Sequence, residues 1–237
     1  NALTAGGGLN LNVSNGLTVN TITDSQGVIT VNGNVNGSSY NISGIKTINA
    51  TGSISLTDNG SIGTLNSNCD VELGGGMKVV NVNATRHICE TGGNPEISGV
   101  ATANGSIRLF GGSSQGTMNA IGGAGTCNLN QTKCTVANVG VDMTSSSNPQ
   151  ATSVKTNADI FIGYASKVGY VSNNVPVGGV VVGGAVYSTS SSPTVVAGNA
   201  VGGAVNRGGQ STNINISNGG AGPSIASVQA ISMGTGP

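Results

Sequence analysis

The side chains that could carry chemistry in this sequence are few and gathered in one stretch. Four cysteines, Cys69, Cys89, Cys127 and Cys134, the only histidine, His87, and the alternating carboxylates Asp70 and Glu72 all fall within residues 68–148. An even number of cysteines in a chain that reads as exported points to two disulfides. Three connectivities are possible; pairing nearest in sequence joins Cys69 to Cys89 and Cys127 to Cys134, and bridges between subunits are a further option. A zinc site built from Cys69, His87, Cys89 and Cys127 or Cys134 would lack the paired C-x-x-C knuckles that hold such ions. A Ser-His-Asp or Cys-His pair would have to use His87, whose neighbours Arg86 and Glu90 are the nearest charged groups. Asp70 and Glu72 would face one side of a strand, which suits either acid/base work on a sugar or a solvated strand face, and the second reading is the one adopted. Gly74-Gly75-Gly76-Met77-Lys78 lacks the spacing of a phosphate loop and any following helix, so it reads as a turn. Phe161, Tyr164 and Tyr170 form the one aromatic cluster, too small for a sugar-stacking platform and better suited to filling a core gap or an interface. These residues predict a protein that is not an enzyme and holds no cofactor or metal.

The elements that must position them are β-strands. The 27 Val and 17 Ile outnumber the 9 Leu, and branched side chains suit pleated surfaces better than helices. Period-two alternation runs through Leu9, Leu11 and Val13, then Leu17 and Val19, Ile29 and Val31, and Ile54 and Leu56. Asn15-Gly16, Asn32-Gly33, Asn36-Gly37 and Asn59-Gly60 separate these runs, and both residue types tolerate the positive φ of tight β turns. No window offers a crossover helix. The predicted fold is all-β: a short-stranded, antiparallel sandwich or jelly-roll-like body over residues 68–237 behind an extended β segment, with a β-solenoid as the alternative. Three segments follow, an Asn/Gly-rich one at 1–67, the cysteine-bearing one at 68–148 and a Val/Gly/Ser-rich one at 149–237, which together could form one domain. In the last, Val-Gly-Gly-Ala-Val occurs at 182–186 and again at 201–205, a local duplication.

Composition narrows the function classes. With 8 basic and 8 acidic residues and zero formal net charge, nothing draws the chain to nucleic acid or to an acidic membrane surface. No run of 18 apolar residues exists, so no helix spans a bilayer. Leu, Ile, Val and Phe total only 55 residues, a thin core for this length, so long backbone ladders, disulfides or surface shared with another chain must add stability. Uncharged runs such as Val180-Val181-Val182 lack the edge lysines and prolines that discourage strand pairing. The first residue is Asn1 with no basic and apolar leader before it, which predicts a mature exported chain from which the signal peptide has been removed.

Gly8-Leu9-Asn10-Leu11-Asn12-Val13 and Gly52-Ser53-Ile54-Ser55-Leu56 resemble the Asn/Gly-rich repeats of large secreted bacterial β-solenoid exoproteins, the filamentous-haemagglutinin and autotransporter-passenger type, over residues 1–67. The resemblance implies an extracellular, fibrous or adhesive role with stacked strands and Asn ladders. The expected function is therefore a secreted, cell-surface structural subunit that polymerises with itself into a filament, pilus-like fibre or surface layer, in contact with host or abiotic surfaces. Assembly would proceed by strand-edge pairing or by donor-strand complementation, with Leu3, Leu9, Leu11, Val13, Leu17 and Val19 as the donated strand. The alternatives are a monomeric adhesin or glycan-binding module and a β-helix carbohydrate-active enzyme.

Overall fold

In the computed structural model the described residues are 41–111, 114–122, 125, 127, 132–135, 140–147 and 149–162, with isolated strands on either side of these. Every strand pairing among them is parallel, and none of them is helical. The chain passes back and forth between two sheets, one of 14 strands and one of 11, in places laying two successive strands in the same sheet, so coil after coil extends both. The architecture is a parallel β-solenoid of about 6 turns. It corrects the expectation of an antiparallel sandwich or jelly roll and agrees with the alternative. The reason is local: an Asn-Gly corner reverses a hairpin or turns a coil equally well. Asn59-Gly60 leads from the strand Ile54–Leu56 of one sheet into Gly60–Ser67 of the other, with no hairpin between them. Asn15-Gly16 and Asn32-Gly33 lie outside the described residues.

Stacking in register explains why so few apolar residues suffice. In the first sheet Ile48, Leu65, Val82, Ala101, Met118 and Val154 lie one above another, all buried. In the second, Ile54, Val71, Ile88, Ile107, Val141 and Ile160 do the same. The interior is thus one narrow column of branched side chains, walled by ladders whose hydrogen bonds satisfy the main chain. The usual rise from coil to coil is 17 residues: Asn66 Nδ2 donates to Asn49 Oδ1 and Asn83 Nδ2 to Asn66 Oδ1, each 2.8 Å and each across 17 residues. That Asn ladder runs on the outer face of the first sheet. Val186 pairs with Val205, so the duplicated Val-Gly-Gly-Ala-Val marks one coil rather than a separate repeat.

The first sheet bends part-way along its strands. Met77–Ala84 is met on the next coil by two strands, Glu96–Ile97 and Val100–Ala103. At this bend a Cβ on Gly63 would collide with the carbonyl oxygen of Lys46, and one on Gly116 with that of Gly99, so glycine is required for the coils to close up. Gly60–Ser67 pairs with Asn41–Ala50 before it and with Met77–Ala84 after it, so the first sheet continues from one side of residues 67–68 to the other, and the pairing of Ser114–Ala120 with Gln150–Thr156 carries it past residue 148. At the other end Leu3 pairs with Ile22, Leu11 with Ile29, Val13 with Val31 and Leu17 with Val35, each in parallel with a neighbouring coil of the same chain. Leu9 and Val19 lie outside the described residues.

Candidate functional site

Where each first-sheet strand turns into a second-sheet strand, one corner position is polar in successive coils: Ser53, Asp70, His87 and Ser106, all buried. Each of the first three accepts a main-chain N–H from its successor. Asp70 N donates to Ser53 Oγ at 3.3 Å, His87 N to Asp70 Oδ1 at 3.2 Å, and Ser106 N to His87 Nδ1 at 2.8 Å. A corner leaves main-chain donors turned away from the regular ladder, and these side chains satisfy them. His87 accepts at Nδ1, so its proton sits on Nε2. Burial first, and then the Arg86 cation, holds its pKa below the usual imidazole value, against an opposing pull from Asp70. A Cβ on Gly105 would collide with His87 Nδ1, so that position too admits only glycine.

Asp70 is the hub of this corner. Its Oδ2 accepts from Arg86 Nη1 at 2.9 Å, from Lys133 N at 2.7 Å and from Cys134 N at 2.9 Å. Lys133 and Cys134 belong to a segment inserted between the strands Ser114–Ala120 and Val141–Met143, of which residues 121–122, 125, 127, 132–135 and 140 are described. This strap is fixed by two disulfides, Cys69–Cys127 across 58 residues and Cys89–Cys134 across 45. Arg108 Nη1 adds a hydrogen bond of 2.8 Å to Thr135 O, and Arg86 Nη2 one of 3.4 Å to Cys134 O. The nearest-in-sequence pairing is therefore corrected. Cys69 sits in a corner and Cys89 in the strand Ile88–Glu90 of the following coil, where its register partner is Glu72. The strap, rather than the neighbouring coil, brings each of them a sulfur. With all four thiols in disulfides, none is left as a zinc ligand.

The sequence-predicted residues thus separate. Asp70 is enclosed by the strap and Arg86, whereas Glu72 stands on the outer side of the second sheet and accepts the Ser55 hydroxyl at 2.5 Å. Gly75, with φ of 59°, turns the chain between Val71–Leu73 and Met77–Ala84, as expected of that glycine run. Phe161 is half-buried in register with Asp142, while Tyr164 and Tyr170 lie outside the described residues.

Two residues gain a place that sequence reasoning did not give them. Arg108 bridges sheet to strap. Glu90 points into the core. It occupies the inward position held by Leu56 and Leu73 in the preceding coils, and it is completely buried. Its Oε2 accepts from Phe110 N at 2.7 Å and Gly111 N at 2.9 Å, and Oε1 has no partner among the described residues. Burial pushes its pKa up to about 7, against the two main-chain donors that favour the charged form. The spacing of 17 residues from Leu56 to Leu73 to Glu90 is the signal in the sequence that exposes it.

The outer face of the first sheet carries an open groove of about 490 Å³ beside the bend, lined by Lys46, Ser61, Gly63, Lys78, Glu96 and Ser98 among others, with no aromatic ring. Lys78 and Glu96 form an exposed ion pair there at 3.9 Å. Among the described residues no helix is long and apolar enough to cross a membrane. No protein-family model, curated protein or solved structure matches the chain.

Proposed function

We propose that this chain is an extracellular structural subunit whose solenoids stack end to end into a filament or surface layer by pairing of strand edges. One observation carries the reading: the buried polar side chains of the corner, Asp70 and His87 included, are engaged in holding coil to coil or strap to coil, in the manner of a scaffold. A parallel stack also presents an unpaired strand edge on whichever coil is outermost, and a chain with 16 charges in 237 residues has little with which to guard such an edge. The two disulfides favour an oxidising, extracellular setting. Of the two modes of assembly, edge pairing is favoured over strand donation because it leaves the pairings of Leu3, Leu11, Val13 and Leu17 within their own chain in place. The partner is then a second copy of the chain, and host or abiotic surfaces meet the outer faces of the stack.

Sedimentation velocity over a hundredfold range of concentration, with negative-stain microscopy of the oxidised full chain, tests this. The expected result is growth in mass with concentration and linear particles of one solenoid's width. A single species of 23.0 kDa at every concentration would leave the monomeric adhesin as the better reading.

A further inference from the structure

The ladder of the second sheet changes character at Glu90. After the strands Val71–Leu73 and Ile88–Glu90 the next residue donates its N–H to the main-chain carbonyl one coil back: Gly74 N to Leu56 O, and Thr91 N to Leu73 O, both at 2.9 Å. The equivalent residue of the following coil is Phe110. Its N–H goes instead to the side chain of Glu90, at 2.7 Å, and Gly111 N joins it at 2.9 Å. A carboxyl group has taken the place of a main-chain carbonyl as the acceptor that holds one coil to the next.

Among the described residues nothing near Glu90 compensates its charge. The flanking strands Val71–Leu73 and Ile107–Arg108 carry Glu72 and Arg108, but both are in register with Cys89 and so lie on the outer side of the sheet. Lys78 of Met77–Ala84 and Glu96 of Glu96–Ile97 pair with each other at the surface. The buried side chains at the same inward position on either side are Leu73 and Leu109. Oε1 is therefore buried beside Leu73 and Leu109 with no donor and no counter-ion among the described residues. A neutral carboxyl can remain there; a carboxylate would draw in water.

We propose that Glu90 is a proton-operated latch between two coils of the solenoid, closed when its carboxyl is protonated and released when it ionises. Closed, it keeps Phe110 and Gly111 hydrogen-bonded over a dry interior. On ionisation the two amides are offered a stronger acceptor, but burying the charge beside Leu73 and Leu109 costs more than those bonds return, so the carboxylate gains water by local opening and the chain leaving the second sheet at Phe110 loosens. Because the group loses its proton near neutrality, the solenoid is tight in mildly acidic surroundings and opens locally on the alkaline side.

Hydrogen exchange of the full, oxidised chain between about pH 5 and pH 8, corrected for the intrinsic pH dependence of exchange, tests the latch. Protection of the amides of Phe110 and Gly111 should fall about tenfold or more as pH rises through neutrality, relative to those of the strand Gly60–Ser67. Glu90→Gln keeps a neutral acceptor that cannot ionise, and its protection ratio should stay level. Should Glu90→Gln fail to fold, Glu90→Leu, which restores the residue of the preceding coils, serves as the second non-titrating variant. A level ratio in the wild type, or the same fall in a non-titrating variant, overturns the proposal. So does a carbon-13 titration that places the Glu90 carboxyl in the ordinary carboxylate range.

Discussion

Four donors converge on the Asp70 carboxylate, which has no exposed surface. Removing it leaves the Arg86 guanidinium, itself largely buried, and three main-chain amides without that acceptor. Breaking a buried pair in this way is far more damaging than replacing both partners together. Asp70→Ala should therefore lose about 3–5 kcal/mol in urea denaturation of the oxidised protein, and Asp70→Asn less, since one amide oxygen still accepts. The two titrating groups in this part of the core act with opposite sign. Glu90 has a folded pKa raised above its unfolded value, so its contribution is fully present below about pH 4.5 and is lost as pH rises through about 7. At 1.36 kcal/mol per unit that swing is on the order of 3 kcal/mol. His87 has a lowered pKa, so its contribution is present above the imidazole's usual value of 6.5 and falls away in acid. Wild type should lose stability from pH 5 to pH 8 by chemical denaturation. Glu90→Gln, left with the His87 slope alone, should gain it.

Elements explain why the fold was only half legible. The strands themselves are written in the sequence: alternation such as Ile29-x-Val31 and Ile54-x-Leu56, punctuated by Asn and Gly, survives as strands of three to four residues. Their direction is not, because an Asn-Gly corner carries no sign of whether the next strand returns beside the last or joins another sheet. The period of 17 is present at Asn49, Asn66 and Asn83, but two extra residues enter before Ser106, whose bond to His87 spans 19, and the strap then breaks the phase again. Short-range reading cannot bridge that. The disulfides show the same limit, since only the solenoid brings Cys127 to Cys69 and Cys134 to Cys89. Trypsin separates the two pairings without ambiguity, because Lys46, Lys78, Arg86, Arg108, Lys133 and Lys155 isolate each cysteine in its own peptide. Mass spectrometry without reduction should find residues 47–78 joined to 109–133, and 87–108 joined to 134–155. Finding 47–78 joined to 87–108 would mean that the strap is not docked as described. In the chain-entropy account loops of this size contribute about 4 kcal/mol each, so reduction should lower the melting temperature markedly.

At the scale of the whole molecule, the thin core and the coil period are one fact. A globular fold must enclose its interior from all sides, whereas a solenoid lets each coil bury its inner face against the coils above and below, so stability is a sum over coils and their interfaces. It follows that a coil can be removed if the phase is kept. Deleting residues 48–64 joins Thr47 to Leu65, which takes the inward place of Ile48, its own register partner one coil back. The new strand still presents Leu65 to the core and Asn66 to the outer ladder. Deleting residues 48–63 is shorter by one residue, yet it sets Thr64 inward and Leu65 outward, and along a strand such a slip inverts every side chain that follows. The first deletion should preserve a β-type circular dichroism spectrum and a single cooperative unfolding transition, with stability reduced by about one coil's share. The second should bind a hydrophobic dye and lose the cooperative transition. If the two behave alike, the inward and outward faces are not set by the 17-residue register, and the stacked core described above cannot be the structure that holds the chain together.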